Sequence, residues 1–209
     1  MTFTGIKRKI MGTVLSLFLV IGGAAATLQV ASAASGYTEV RQQQFEYQQN
    51  LKEIKLEEGV KSIGAYAFRG DYNLKEITIP ASVETIGRNA FDGCWGLEKV
   101  TFAPGSKLKS IDMFAFQYAT GLKSINLPEG VTTIGQGAFM HTGLESIEIP
   151  GTVEELPYQT FEASDRLRSV TLHEGTKSVG EYAFAYTQIS SDNLTVPSGT
   201  TVDPAAFDE

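Results

Sequence analysis

Apolar positions recur along this chain in two registers. Leu74-Lys75-Glu76-Ile77-Thr78-Ile79-Pro80 places them at i, i+3 and i+5. The same spacing returns as Leu51/Ile54/Leu56, Leu97/Val100/Phe102, Leu122/Ile125/Leu127, Leu144/Ile147/Ile149 and Leu167/Val170/Leu172. The last two positions of each set enclose one outward residue, the period-two mark of a strand. Pro80, Pro128 and Pro150 follow the final apolar residue, where proline ends a strand without interrupting it. A second apolar pair then predicts a short second strand: Val60/Ile63, Val83/Ile86, Leu108/Ile111, Val131/Ile134 and Val153/Leu156.

Each unit closes on phenylalanine. Phe45, Phe68, Phe91, Phe116, Phe139, Phe161, Phe184 and Phe207 follow at intervals of 23, 23, 25, 23, 22, 23 and 23 residues, and alanine precedes six of the eight. A fixed period in the twenties predicts a solenoid, a stack of coils none of which can bury its apolar face alone. Phenylalanine would fill the space between strands and turn, and the small alanine would let the turn approach. Ahead of each Ala-Phe pair stands Gly64, Gly87, Asp112, Gly135, Gly180 or Asp203. One reading is a site of positive φ. The other, favoured by Asp203-Pro204, is the cap of a short helical turn. Pro157 breaks this slot and predicts an irregular coil.

Leu74 through Cys94 resembles L-x-x-I-x-I-P-x-S-V-x-x-I-G-x-x-A-F-x-x-C, the unit of the BspA-like branch of the leucine-rich-repeat family. The resemblance runs from about Leu51 to Phe207. It departs at Asp112 and Pro157 in the glycine slot, Thr160 in the alanine slot, and Asp71, Ala119, Thr142, Ser164 and Thr187 in the cysteine slot. It implies a β-rich leucine-rich-repeat solenoid of about seven coils, with a parallel strand ladder, short second strands and short helical turns. It also implies an exported or surface-exposed bacterial protein of the adhesion type, with a host or extracellular-matrix protein as partner.

The first residues agree with export. Lys7, Arg8 and Lys9 precede an apolar stretch from Ile10 that ends in Ala31-Ser32-Ala33, the layout of a secretory signal peptide. The expected division is therefore a signal peptide over 1–33, a glutamine-rich cap and partial first coil over 34–50, and the solenoid over 51–209. No membrane span is expected after cleavage. The product would be secreted or peripherally attached to the cell surface. Removing three cations changes the net charge from −7 to −10 (24 acidic minus 14 basic), which repels nucleic acid and anionic headgroups. Cys94 is the single cysteine, so no intrachain disulfide forms. Beyond Phe207 stand only Asp208 and Glu209, so the last coil is expected to be incompletely covered, favouring end-to-end self-association or reflecting a shortened chain.

Little of the chemistry looks catalytic. Cys94 shares its slot with core residues. His141 and His173 occupy different slots of different coils, without the spacing of a metal site. Glu53 and Glu76 fall in one outward column that continues to Lys99, a solvated charge ladder rather than a carboxylate pair. No cofactor is expected, and the chain reads as non-enzymatic. The surface offers more. The outward slot between the last two apolar residues reads Lys55, Thr78, Thr101, Asn126, Glu148 and Thr171, a polar sheet able to contact a protein or glycan. Tyr72 and Trp95 lie four residues after the repeat phenylalanine, and Tyr118 and Tyr186 two after it. Tyr66, Phe114 and Tyr182 lie two before it, so stacking would align an aromatic edge. The second reading of this surface is carbohydrate binding or glycan hydrolysis.

Overall fold

The computed structural model describes residues 17–22, 25–30 and 38–208. From Thr38 onward the chain winds as a parallel β-solenoid. Its longer strands form one side: Glu53–Leu56, Glu76–Ile79 and Lys99–Phe102 pair in register, and Ser146–Ile149 pairs with Ser169–Leu172 further along. The apolar residues of these strands face the core, while Lys55, Thr78, Thr101, Glu148 and Thr171 are exposed. The short strands form a second side in two sheets. One runs from Glu39–Val40 to Thr133–Ile134, and the other joins Glu155–Leu156, Ser178–Val179 and Thr201–Val202. Val40 and Phe45 are buried, so residues 38–50 supply the short-strand and turn sides of a first coil.

Leu17–Gly22 and Ala25–Val30 pair as an antiparallel hairpin, and the second of these strands pairs parallel with Glu53–Leu56. The basic residues 7–9 and the expected cleavage point at Ala33 lie outside the described residues. No helix among the described residues is long and apolar enough to cross a membrane.

The third side corrects one detail of the sequence-based expectation: the segments carrying phenylalanine contain no helix. Alternate amides serve different partners. Ala67, Arg69 and Asp71 donate to the carbonyl three residues back, at 3.3, 3.2 and 3.2 Å. Between them Tyr66, Phe68 and Gly70 donate to Arg88, Ala90 and Asp92 of the next coil, at 2.9, 2.8 and 2.8 Å. A helix would turn every amide inward along its own axis; this backbone turns every second one outward and makes a third ladder between coils. The alternation requires left-handed residues two positions before and two after the phenylalanine. Tyr66, Asn89, Phe114, Gln159 and Tyr182 occupy the first position, and Tyr47, Tyr118, His141, Ala163 and Tyr186 the second. Each non-glycine residue there costs about 1–2 kcal/mol, and the bonds between coils offset that strain.

The glycine slot has a different reason. Gly87 and Gly135 do not have positive φ. A Cβ on Gly87 would lie 2.8 Å from Ala65 N, and one on Gly135 would lie 2.4 Å from Met113 N. Glycine is there because the backbone of the preceding coil passes too close for a side chain. At Asp203 the carboxylate in this slot caps the turn, Oδ1 accepting the Ala205 N–H at 2.9 Å, whereas Asp112 Oδ1 accepts from the adjacent Met113 N–H at 2.7 Å.

Phe68, Phe91, Phe116, Phe139 and Phe161 are fully buried. The phenylalanine rings stack from Phe45 to Phe207 with centroids 5.1–5.9 Å apart and planes within 17°. Such contacts contribute about 0.5–1.5 kcal/mol per pair beyond burial. Phe207, at the end of the stack, is only partly covered.

Beside the rings runs a buried column of small and polar side chains, three residues after each phenylalanine from Phe68 to Phe161: Asp71, Cys94, Ala119, Thr142 and Ser164. Cys94 Sγ donates to Phe68 O at 3.1 Å, and Ser164 Oγ donates to Phe139 O at 2.8 Å. Asp71 is the anomaly. One carboxyl oxygen accepts the Gln48 N–H at 2.6 Å, while Oδ2 is buried without a partner. Burial pushes this carboxyl from its ordinary 3.8 up to about 8; the charge of Glu46 adds to the shift and the Gln48 bond opposes it.

Phe116→Ala should lower stability by about 3–5 kcal/mol, because a filled coil on each side prevents collapse of the cavity; Phe207→Ala should cost far less, and urea unfolding compares them. The raised pKa of Asp71 means that the folded chain keeps a proton the unfolded chain loses. Its contribution is therefore complete below pH 3.8 and is lost as pH rises toward about 8. Asp71→Asn should flatten that decline, whose steepest slope is about 1.4 kcal/mol per pH unit. Thermal midpoints measured from pH 5 to 9 test this, and parallel curves for the two proteins would contradict it.

Candidate interaction surface

The outward strand slot is a real column over part of its length. Lys55 pairs in register with Thr78, Thr78 with Thr101, and Glu148 with Thr171. Asn126 departs from the expected continuous ladder. It is exposed, but its segment forms no strand, and the sheet is interrupted on both sides of it. The interruption coincides with the 25-residue interval between Phe91 and Phe116, where Ala103-Pro104-Gly105-Ser106 lengthens the loop after Phe102. That loop stays bound to the coil before it, through Ala103 N–H to Ile79 O and Lys107 N–H to Ala81 O, both at 2.9 Å. A depression lined by Phe102, Gly105, Ser106, Asn126, Pro128 and Glu129 lies between the loop and the following coil. The six slot residues thus form two short polar patches with Asn126 between them.

Charged side chains flank the patches at the period of the repeat. Lys75 Nζ meets Glu98 at 2.8 Å, and Arg168 meets Glu145 at 2.6 Å. Lys75 holds the Glu98 carboxyl below its ordinary range. Exposed pairs of this kind contribute little to stability, but their alternating sign favours the observed register. Glu53 and Glu76 are exposed and paired in register, with Lys99 next in the column. Among the described residues, no group of three or more His, Cys, Asp or Glu is placed to hold a metal ion. His141 stacks on Tyr118, and His173 lies 3.7 Å from Glu148. Cys94 is fully buried, and burial, followed by the charge of Asp71, pushes its thiol well above the ordinary value. It therefore has little of the thiolate character that makes a cysteine reactive.

The turn aromatics are brought together in pairs rather than along one edge. Tyr72 and Trp95 stack with centroids 6.0 Å apart and planes at 25°. Tyr118 and His141 stack at 4.7 Å, and Tyr158 meets Tyr182 edge-on at 5.8 Å. The edge is broken because Gly70, Gly93 and Ala163 occupy the slot of Tyr118 and Tyr186, while Gly137 interrupts that of Phe114. Trp95 is 59% exposed, although it stands next to the fully buried Cys94 and, two residues on, Leu97. Its turn is held by a close backbone approach: a Cβ on Gly96 would lie 2.3 Å from Tyr72 O.

Two members of this surface escape a reading based on spacing. Tyr47 is 56% exposed, and its ring crosses the position a side chain on Gly70 would fill. The Arg69 guanidinium lies 5.8 Å from the Tyr47 ring and 5.5 Å from the Tyr66 ring, while pairing with Glu46 and Asp92. The available signal was the column through Tyr47, Gly70 and Gly93, in which one ring precedes two empty places.

Comparison with known proteins agrees with this architecture. The family model described as the BspA type leucine rich repeat region matches residues 38–165 and 97–209, in six copies. No curated protein sequence matches closely enough to count as a relative. Among solved structures, the leucine rich repeat protein of T. pallidum aligns with a TM-score of 0.72 at 23% identity, over 86% of this chain and 89% of that one. A leucine-rich repeat protein from Bacteroides ovatus aligns with a TM-score of 0.60 at 21% identity, over 93% of this chain and 61% of its own. The pneumococcal vaccine antigen PcpA aligns with a TM-score of 0.51 at 22% identity, over 95% and 72%. The period, the phenylalanine stack and the matched residues together place this chain in the BspA-type leucine-rich-repeat family.

Proposed function

We propose that this is an exported, non-enzymatic interaction protein that binds a protein partner at or outside the bacterial cell surface. The observation that carries the reading is Trp95: a large aromatic side chain, 59% exposed and stacked on Tyr72, presented by a turn whose neighbours are locked in the core. Folding gains little from leaving an indole in water, whereas a partner gains a large anchor already ordered. Tyr118, with 41% exposure, and the polar slots Lys55, Thr78 and Thr101 would supply adaptable contacts around it. Export rests on the basic and apolar layout of residues 1–33. Surface exposure agrees with the description of one structural neighbour as a vaccine antigen.

The Tyr72–Trp95 stack also favours a second reading, since a sugar ring can lie on an aromatic face. The two separate experimentally. Saturable binding of residues 34–209 to an immobilised extracellular-matrix protein supports the first reading. Binding confined to a glycan array supports the second, and glycan turnover would remove the non-enzymatic assignment. In either assay Trp95→Ala should weaken binding by about 2 kcal/mol or more, with a thermal midpoint close to that of the parent. A large fall in the midpoint would assign the indole to the fold instead.

A further inference from the structure

The short-strand ladder opens between the coils of Phe139 and Phe161, and the opening has a chemical cause. Elsewhere the residue after each short strand donates to the preceding coil: Gly87 to Ile63 O at 2.8 Å, Asp112 to Ile86 O at 2.9 Å, Gly135 to Ile111 O at 2.8 Å, and Gly180 to Leu156 O at 2.7 Å. Pro157 holds this position in the opened coil and has no N–H to give, so Ile134 O is left without its donor. The bond expected three residues earlier is absent as well. Lys109 N–H reaches Glu84 O at 2.8 Å and Lys177 N–H reaches Glu154 O at 2.7 Å, but Glu154 N–H makes no such bond to Thr132 O. Thr133–Ile134 and Glu155–Leu156 consequently belong to different sheets. A cleft of about 390 Å³ opens there, lined by Thr132, Thr133, Ile134, Thr152, Glu154, Glu155 and Pro157.

Acceptors dominate this cleft. The Thr132 hydroxyl donates to Lys109 O at 3.2 Å, and the Thr152 hydroxyl lies between two carbonyl acceptors, Val131 O at 2.5 Å and Glu129 O at 2.9 Å. Their protons are thereby committed to backbone carbonyls, and lone pairs remain. Glu154 is already paired with Lys177 at 2.8 Å, whereas Glu155 is exposed and makes no ion pair among the described residues. Two carbonyls, hydroxyl lone pairs and the Glu155 carboxylate outnumber the two spare backbone donors, the N–H groups of Glu154 and Glu155. A ligand suited to that imbalance brings several donors and a positive charge. Guanidinium offers five N–H donors in one plane, whereas ammonium offers three on a compact charge that holds its water tightly. The net charge of −7 draws such a ligand toward the protein.

We propose that this cleft receives an arginine side chain from a basic segment of a protein partner. The site lies on a different side of the coil from Trp95, so it stands or falls independently of that surface. The test uses the full chain, with amide chemical shifts as the readout and a tetra-arginine peptide as the probe. Saturable shifts should appear at Thr132–Ile134 and Thr152–Glu155. The same peptide with citrulline in place of arginine keeps the shape without the charge and should bind at least about tenfold more weakly, in line with loss of charge-assisted hydrogen bonds. Tetra-lysine should fall between them. Glu155→Gln should weaken the arginine peptide about tenfold, while Glu84→Gln, an exposed acid elsewhere on the same side, should leave it unchanged. Pro157→Gly, which restores the missing donor, should close the cleft and abolish the localised shifts; if that variant fails to fold, the glutamine pair still decides. Equal binding of the citrulline peptide, shifts spread across the acidic surface, or equal effects of the two glutamine variants would each overturn the proposal.

Discussion

Every coil of this protein depends on the next for its hydrogen bonds. Amides of the long strands, the short strands and the phenylalanine turns point along the axis of the stack and find partners one repeat away. A coil in isolation would leave those groups to water and expose a ring that is fully buried in the interior coils. The stacking distance is therefore set by backbone geometry, at about 4.8 Å between parallel strands, and side chains must accept it. Flat rings lying one above another with a small sideways offset are a good solution at that spacing. This is why phenylalanine, rather than a branched aliphatic residue, marks the repeat.

The same constraint explains what spacing alone could and could not foretell. Strands, their apolar faces and the phenylalanine stack were legible because they are translational: each slot repeats its character whichever coil is read. The turn was harder. A small residue, an alanine and a phenylalanine are what a short helix would show, and the distinguishing mark lay in the two flanking slots. There Gly70, Gly93, Gly137 and Asn89, all tolerant of positive φ, alternate with tyrosines and glutamines that conceal the pattern. Trp95 could be placed in the right column but not assigned to core or solvent, because that depends on which way the chain leaves the turn. Asp71 was visible only as a departure from the usual cysteine; its loss of solvent depends on the first coil closing over it.

Departures from the repeat divide into two kinds. Substitutions confined to a side chain, such as Thr142 and Ser164 in the cysteine slot, are absorbed: the two hydroxyls lie 2.9 Å apart, and Ser164 binds a backbone carbonyl. Changes that reach the backbone are not. The two extra residues before Phe116 leave the segment of Asn126 without a strand, and Pro157 removes an amide that the preceding coil expects. Both lie near the middle of the stack, on different sides, and each exposes polar backbone that a regular coil would cover.

A globular core would transmit such defects widely, but a solenoid confines them. Its stability is close to a sum over neighbouring coils, so a lapse on one side weakens one interface while the other sides of that coil hold. The rings of Phe139 and Phe161 still stack at 5.6 Å beneath the opened short-strand ladder. The interior can therefore remain monotonous while single coils diverge, and the divergence is cheapest where it alters only outward-facing groups. An exposed indole between buried neighbours and an orphaned carbonyl opposite a proline are both changes of that kind. Each adds a feature a partner could recognise, and neither disturbs the ring column that keeps the chain folded.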